Sequence, residues 1–272
     1  MKAEPQASRV LEGILAETAR RVAGRRGEQS AWERRAAAAL PAPDFGAALR
    51  GRAVAVIGEV KRRSPSAGLI RAEFDAVALA RTYAEAGAAA VSVLTEEAHF
   101  GGSLDDLSRV SAAIGVPTLR KDFIIHPLQL YEARAAGASA VLLIVRALSA
   151  ERLEELARLA RAIGLATLVE VHEAPELEAA VAVRPTAIGV NARDLDTLAI
   201  DPARVELLLP VLPPDLAAVA ESGLSSRADV ERVAAVGADA VLVGTAVAGA
   251  PDPAEALRAL VGVRRVARRG AR

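Results

Sequence analysis

Eight short apolar runs alternate with helix-length amphipathic segments through this 272-residue chain. That alternation predicts an α/β fold, a single (β/α)8 TIM barrel with an N-terminal helical extension. Two further observations favour a closed barrel over an open doubly wound sheet. The count of eight is unbroken, and no G-x-G-x-x-G follows the first run, where a dinucleotide-binding sheet would carry one. The repeat also echoes internally: EAGAAAVSVL around Gly87, AAGASAVLLI around Gly137 and AVGADAVLVG around Gly237 share one helix-stop, glycine, strand-start junction. These glycines read as helix C-caps, not as ligands.

Taken in order, residues 4–40 carry Leu11, Ile14, Leu15, Val22 and then Trp32 at helical spacing among arginines and glutamates. They predict one or two amphipathic helices, ended by Pro41 and Pro43. Such an extension either packs on the barrel or covers its mouth. The strand candidates are AVAVIGEV (53–60), AVSVLTE (90–96), PTLRKDF (117–123), AVLLIVR (140–146), ATLVEV (166–171), AIGVNARD (187–194), LAAVAESG (216–223) and AVLVGTA (240–246). Their bare apolar centres suit parallel strands buried on both faces. Helices are predicted between them at 75–86, 104–113, 127–136, 149–163, 173–182 and 226–236. The expected organisation is an extension over 1–50 packed on the barrel, a barrel over 51–264 and a basic tail over 265–272.

Composition removes several function classes. With 52% hydrophobic side chains the chain can bury a full core. Its 34 basic and 34 acidic residues cancel, so nothing favours nucleic acid or an anionic membrane as partner. Cysteine is absent, which excludes disulfides, thiolate nucleophiles and Cys-ligated metals. His99, His126 and His172 lack ligand spacing, so no His-rich metal site is expected. No stretch approaches the roughly 20 apolar residues of a membrane span, and the N-terminus lacks a signal-type apolar core. The expectation is a soluble cytoplasmic protein, a monomer or weak homo-oligomer, acting on a small molecule. Scarce Asn, Gln, Met and Cys lean toward a high-temperature source, although a GC-rich genome produces the same replacement of lysine by arginine.

Only Lys2, Lys61 and Lys121 are lysines, against 31 arginines. A lysine retained in such a chain suggests a task that needs a compact amine able to give up its proton. Both internal lysines fall at strand ends, where barrels of this class keep their reactive groups. Glu59 and Lys61, two apart on one strand, project to the same side. Arg62, Arg63, Ser64, Pro65, Ser66 and Gly68 then form a basic, hydroxyl-bearing turn suited to anionic groups, the alternative being a surface turn with an ion pair. The third strand ends in Lys121, the fifth in Glu170, the sixth in Asn191 and Arg193, the seventh in Glu221 and Ser222, and all should meet at one mouth. Gly223 after the seventh strand, with Gly244 and Thr245 after the eighth, expose backbone amides at helix starts where phosphate binds.

These stretches resemble the indole-3-glycerol phosphate synthases of tryptophan biosynthesis. The likeness runs from the N-terminal helix to about Leu260, through GEVKRRSPSAG (58–68), SVLTEEAHFGGS (92–103), PTLRKDFIIHPLQLYEARAAGA (117–138), LVEVHE (168–173), GVNARDLDTL (189–198), AESGLSS (220–226) and VGTAV (243–247). The resemblance implies ring closure, decarboxylation and dehydration of 1-(2-carboxyphenylamino)-1-deoxyribulose 5-phosphate to indole-3-glycerol phosphate, a carboxy-lyase reaction. It implies Lys121 as general acid, Glu170 as a catalytic carboxylate and Glu59 with Lys61 assisting proton transfer, their division by step left open. It further implies Asn191, Glu221 and Ser222 as substrate-positioning residues, and Ser64 and Arg193 near the substrate carboxylate. Phe100, Phe123, Leu142 and Leu195 would wall the aromatic ring, and Gly223, Gly244, Thr245 and Lys61 would hold the phosphate. Thr245 stands where serine is common and keeps the hydroxyl. Proton transfer and decarboxylation require no cofactor and no metal. Cations around Lys121 and partial burial are expected to lower its pKa, with glutamates opposing. A phosphoribosylanthranilate isomerase would share the phosphate loops without needing the Lys121–Glu170 pair, and a noncatalytic phosphometabolite-binding barrel would have lost the acid–base set.

Overall fold

The computed structural model of the chain describes residues 10–71 and 74–268. Lys2, the first residues of the expected extension and positions 269–272 of the expected tail lie outside the described residues. Before the barrel come α1 (Val10–Arg25), α2 (Gln29–Ala37) and the short α3 (Phe45–Ala48). Eight parallel strands follow: β1 (Ala55–Val60), β2 (Ala90–Leu94), β3 (Thr118–Lys121), β4 (Ala140–Ile144), β5 (Ala166–Val171), β6 (Ala187–Asn191), β7 (Ala217–Glu221) and β8 (Ala240–Val243). They pair in chain order and β8 pairs back onto β1, closing the barrel.

Helices α4 (Ala76–Glu85), α5 (Leu104–Ala113), α6 (Pro127–Ala135), α7 (Ala150–Ala162), α8 (Glu176–Ala182), α9 (Pro202–Leu208) and α10 (Arg227–Ala235) separate the strands, and α11 (Thr245–Ala248) and α12 (Pro253–Arg258) follow β8. Their starts are set by side-chain caps. Asp75, Ser103, Ser149, Asp201, Ser226 and Asp252 each accept backbone N–H bonds from the first turn that follows. Their stops use the repeated junction: Gly87, Gly137 and Gly237 have φ of +100°, +83° and +97°, the left-handed backbone that a side chain would strain.

The strand period of two builds the interior in levels. Ala55, Ala90, Ala140, Ala187, Ala217 and Ala240 face inward at the base. Ile57, Leu119, Leu142, Leu168, Val219 and Leu242 fill the middle. Two residues further along their strands come Glu59, Lys121, Glu170 and Glu221, with Asn191 two beyond Gly189 on β6. Alanines at the base leave a gap, and Phe45 and Leu49, 1% and 0% exposed, fill it from below. A hydrogen bond from Arg50 to the Asp215 carbonyl fixes that plug beneath β7. At the other end Leu11 and Ile14 of α1 join the same apolar cluster beside Phe100, Phe123 and Leu195. α2 packs instead on α6, where Arg134 donates to the carbonyls of Ala39 and Leu40. The extension therefore both packs on the barrel wall and lies against the mouth.

Candidate active site

The strand ends surround a cavity of about 580 Å³. Glu59, Lys61, Lys121, Glu170, Asn191, Arg193, Glu221, Ser222, Gly223, Gly244 and Thr245 all line it, as do Phe100, Phe123, Leu142 and Leu195. Register brings the polar groups to one level: Asn191 stands opposite Glu221, and Ile144 opposite Glu170.

Two ion-pair groups dominate. Lys61 Nζ lies 2.6 Å from Glu59 Oε1. Lys121 Nζ donates to Glu170 Oε2 at 3.2 Å and to Glu221 Oε2 at 3.0 Å. Glu59, Glu170 and Glu221 are buried, whereas the lysines keep a small exposed edge toward the cavity. Two glycines make room for these carboxylates. A Cβ on Gly189 would strike Glu221 Oε1 and sit 3.1 Å from Glu221 Cδ, and one on Gly244 would meet the Glu59 carboxylate and sit 2.9 Å from Lys61 Nζ.

Crowding three carboxylates with two ammonium groups splits their protonation. Burial pushes the Glu221 carboxyl up to about 8, and Glu170 adds to the rise against the pull of Lys121. Burial also works against ionised Glu170 and Glu59. Lys121, joined by the Asn191 hydrogen bond, outweighs it at Glu170, Lys61 and Lys121 outweigh it at Glu59, and both groups are held below the usual carboxylate range. The set therefore divides into two carboxyls held low, Glu59 and Glu170, and one held high, Glu221. Lys121 departs from the sequence expectation. Burial does lower its pKa, but Glu221, Glu170 and Glu59 together raise it above the ordinary lysine value, because carboxylates and not cations surround the amine.

Not every residue singled out from the sequence lines the main cavity. Ser64 does not line the main cavity. Its hydroxyl lies 3.4 Å from Ser66 Oγ and accepts from the Ala67 N–H, within a side pocket of about 70 Å³ roofed by Val10, Leu11 and Ile14 of α1. Arg193 lines both spaces and donates to the Leu198 carbonyl. Arg62 and Arg63 are exposed and line neither, and Arg62 stacks 4.7 Å from the Phe74 ring. Ser222 and Gly223, with φ of +67° and +72°, form a strained turn rather than a helix start. α10 begins at Arg227, and Asp229 takes the N–H groups of Ser225 and Ser226. Cavity residues not singled out from the sequence include Leu94, Ile144 and Leu242. Leu94 and Ile144 were readable by counting two from Ser92 and from Leu142.

A closed (β/α)8 barrel whose mouth combines paired carboxylates and lysines, an apolar wall and two glycine turns defines an acid–base enzyme for an anionic substrate with an apolar part. A family model described as indole-3-glycerol phosphate synthase matches residues 11–260. The chain is 49% identical over 252 residues to "Indole-3-glycerol phosphate synthase 1" of Streptomyces coelicolor, covering 93% of each chain. It is 49% identical over 224 residues to the synthase of Dehalococcoides mccartyi, covering 81% of this chain and 86% of that one. The chain belongs to the indole-3-glycerol phosphate synthase family and is an enzyme of the carboxy-lyase class. Among solved structures, 3-hexulose-6-phosphate synthase from Salmonella typhimurium superposes with a TM-score of 0.62 at 15% identity, over 76% of this chain and 96% of that one, a likeness of fold alone. No helix among the described residues is long and apolar enough to cross a membrane, and no cluster of three His, Cys, Asp or Glu among them is grouped as a metal site.

Proposed function

We propose that this mouth converts 1-(2-carboxyphenylamino)-1-deoxyribulose 5-phosphate into indole-3-glycerol phosphate, CO2 and water. The observation that carries the reading is Lys121, held between Glu170 and Glu221 against an apolar wall. Phe100 and Phe123, with ring centroids 6.4 Å apart, would flank the substrate's aromatic ring together with Leu142 and Leu195. Arg193, with Ser64 in the adjoining pocket, would meet the ring carboxylate. Gly223, Gly244, Thr245 and Lys61 would receive the phosphate, and Asn191, Glu221 and Ser222 would orient the sugar chain.

In the first step the ring carbon bearing the carboxylate bonds to the ketone carbon, and the ketone oxygen takes a proton from Lys121. An alkoxide is a stronger base than an amine, so a lysine with a raised pKa still transfers its proton favourably. CO2 then leaves, and the electron pair of its bond restores the aromatic ring. Finally the new hydroxyl leaves as water with one proton, while a base removes another from the neighbouring CH2. Glu170 on one side and the Glu59–Lys61 pair on the other are the groups for these transfers. The chemistry asks for no metal or organic cofactor.

The functional unit would be an extension over 1–50, a barrel over 51–264 and a tail over 265–272, working as a cytoplasmic monomer or weak homo-oligomer. The scarcity of Asn, Gln, Met and Cys supports a source that grows hot. Mixing purified protein with the substrate and following indole fluorescence tests the reaction. Steady product formation is expected. Binding without product would favour a noncatalytic phosphometabolite barrel, and failure to bind would point to another phosphosugar enzyme.

A further inference from the structure

His172 stands one residue beyond β5 and two beyond Glu170, and its side chain is fully buried. Its Nε2 lies 3.4 Å from Glu170 Oε1 and its Nδ1 lies 3.8 Å from Glu176 Oε2. Both ring nitrogens are buried and neither makes a hydrogen bond of good geometry as it stands, so these carboxylates are the acceptors within reach. The two carboxylates offer unequal vacancies. Glu176 Oε2 already accepts the backbone N–H groups of His172 and Glu173, and its Oε1 accepts Arg146 Nε at 3.1 Å. The Glu170 carboxylate takes two donors, Lys121 at Oε2 and the Asn191 side chain, against three at Glu176, and its Oε1 faces the imidazole. A buried N–H without an acceptor is costly, so the ring proton belongs on the nitrogen with the nearer and emptier acceptor.

The charged groups around the ring are Glu170, Glu176, Arg146 and Arg204. Burial, joined by the two arginines, holds the imidazole below its ordinary pKa against the pull of the two carboxylates. The ring is therefore neutral near pH 7 and carries a single proton. Glu170 is faced by Lys121 from β3, Asn191 from β6, Glu221 from β7 and Glu59 from β1. His172 is the group that meets it from the barrel wall behind.

We infer that His172 is the positioning residue of Glu170: its Nε2–H hydrogen-bonds Glu170 Oε1 and keeps Oε2 turned to Lys121. The inference rests on the reaction proposed above, in which Glu170 must be ionised and aimed. The carboxylate would otherwise swing between Lys121 and the substrate. The His172 backbone N–H, through Glu176 and Arg146, is tied onward to Asp194, 3.7 Å from Arg146, on the loop that carries Arg193.

The test compares His172→Gln, which keeps a side-chain N–H, with His172→Leu, which fills the space without a donor. For His172→Leu, kcat should fall roughly tenfold or more with KM little changed, and the acid limb of the kcat–pH profile should move up by about one unit. His172→Gln should restore most of both. Equal behaviour of the two variants, with an unmoved pH profile and only a lowered Tm, would overturn the inference in favour of packing alone. A second readout needs no turnover. In ring-¹⁵N-histidine-labelled full-length protein, the resonance that His172→Gln removes should be that of the Nε2–H tautomer, and Glu170→Gln should shift it. An Nδ1–H tautomer, or no response to Glu170→Gln, would overturn the contact. A wild type with the expected resonance but no indole product would support the contact and refute the reaction.

Discussion

Alanine at Gly189 would probe how firmly the fold holds Glu221. Gly189 lies within β6 and is fully buried, facing the carboxyl of Glu221 on β7. Steric demand from the backbone does not explain the glycine, because in a strand alanine is ordinarily better than glycine by about 0.5–1 kcal/mol. The new methyl would instead overlap Glu221 Oε1 and stand 3.1 Å from Cδ and 3.3 Å from Leu168 Cδ1. Glu221 is 1% exposed and cannot swing to solvent, so it must leave Lys121 or push the strand outward. Overpacking of this kind costs about 1–3 kcal/mol, so after the strand preference is subtracted the net loss is roughly 0–2.5 kcal/mol. Lys121 would lose its 3.0 Å partner, and a displacement of that order reduces kcat by roughly tenfold to a hundredfold. Urea denaturation and indole-fluorescence kinetics measure the two effects. Repeating both in a Glu221→Ala background isolates the clash, since Gly189→Ala should then cost little. A Gly189→Ala protein that is stabilised and fully active would refute the argument that the missing side chain makes room for Glu221.

Removing the plug should separate stability from activity. Phe45→Ala empties the base of the barrel and should cost about 3–5 kcal/mol, while kcat measured well below the lowered Tm stays within about twofold of wild type; a large loss of kcat in still-folded protein would contradict this. Glu221→Gln should flatten the dependence of stability on pH. The folded carboxyl holds its proton to about 8, against an ordinary value of 4.5. Between those values the folded state binds more protons than the unfolded one, so the wild type loses stability as pH rises through the window, at no more than about 1.4 kcal/mol per unit. Glu170, held low, acts only below the ordinary carboxylate range. Urea midpoints at pH 5 and pH 8 should thus show the variant gaining on wild type at the higher pH, and an equal difference at both would contradict the raised pKa of Glu221.

Much of the site was legible because a strand has a period of two and a barrel collects its strand ends. Glu59 and Lys61 shared a side by that rule alone, and Lys121 stood out as a lysine where arginine had replaced nearly all others. Partner choice was not legible. Lys121 meets Glu170 and Glu221 across 49 and 100 positions of chain, contacts that exist only once the barrel closes. Without that closure its environment looked cationic, and the direction of its pKa shift was misjudged. The basic turn after β1 shows the opposite case: Arg62 and Arg63 suit anionic groups by sequence, yet both are exposed and line neither space. Phe45 and Leu49 sat between the prolines and β1 as a short apolar stretch, and nothing local announced that the alanine level of the barrel needed filling.

The most direct measurement of the central claim, that Lys121 acts as proton donor while Glu170 serves as a carboxylate beside it, is single-turnover indole formation by wild type, Lys121→Arg and Glu170→Gln at saturating substrate. Arginine keeps the positive charge but cannot give up its proton, and glutamine keeps the shape of Glu170 without its charge. The account predicts that both variants bind substrate and lose about 10²- to 10⁴-fold in rate. A Lys121→Arg enzyme within a few-fold of wild type would contradict it, because charge alone at that position would then be enough.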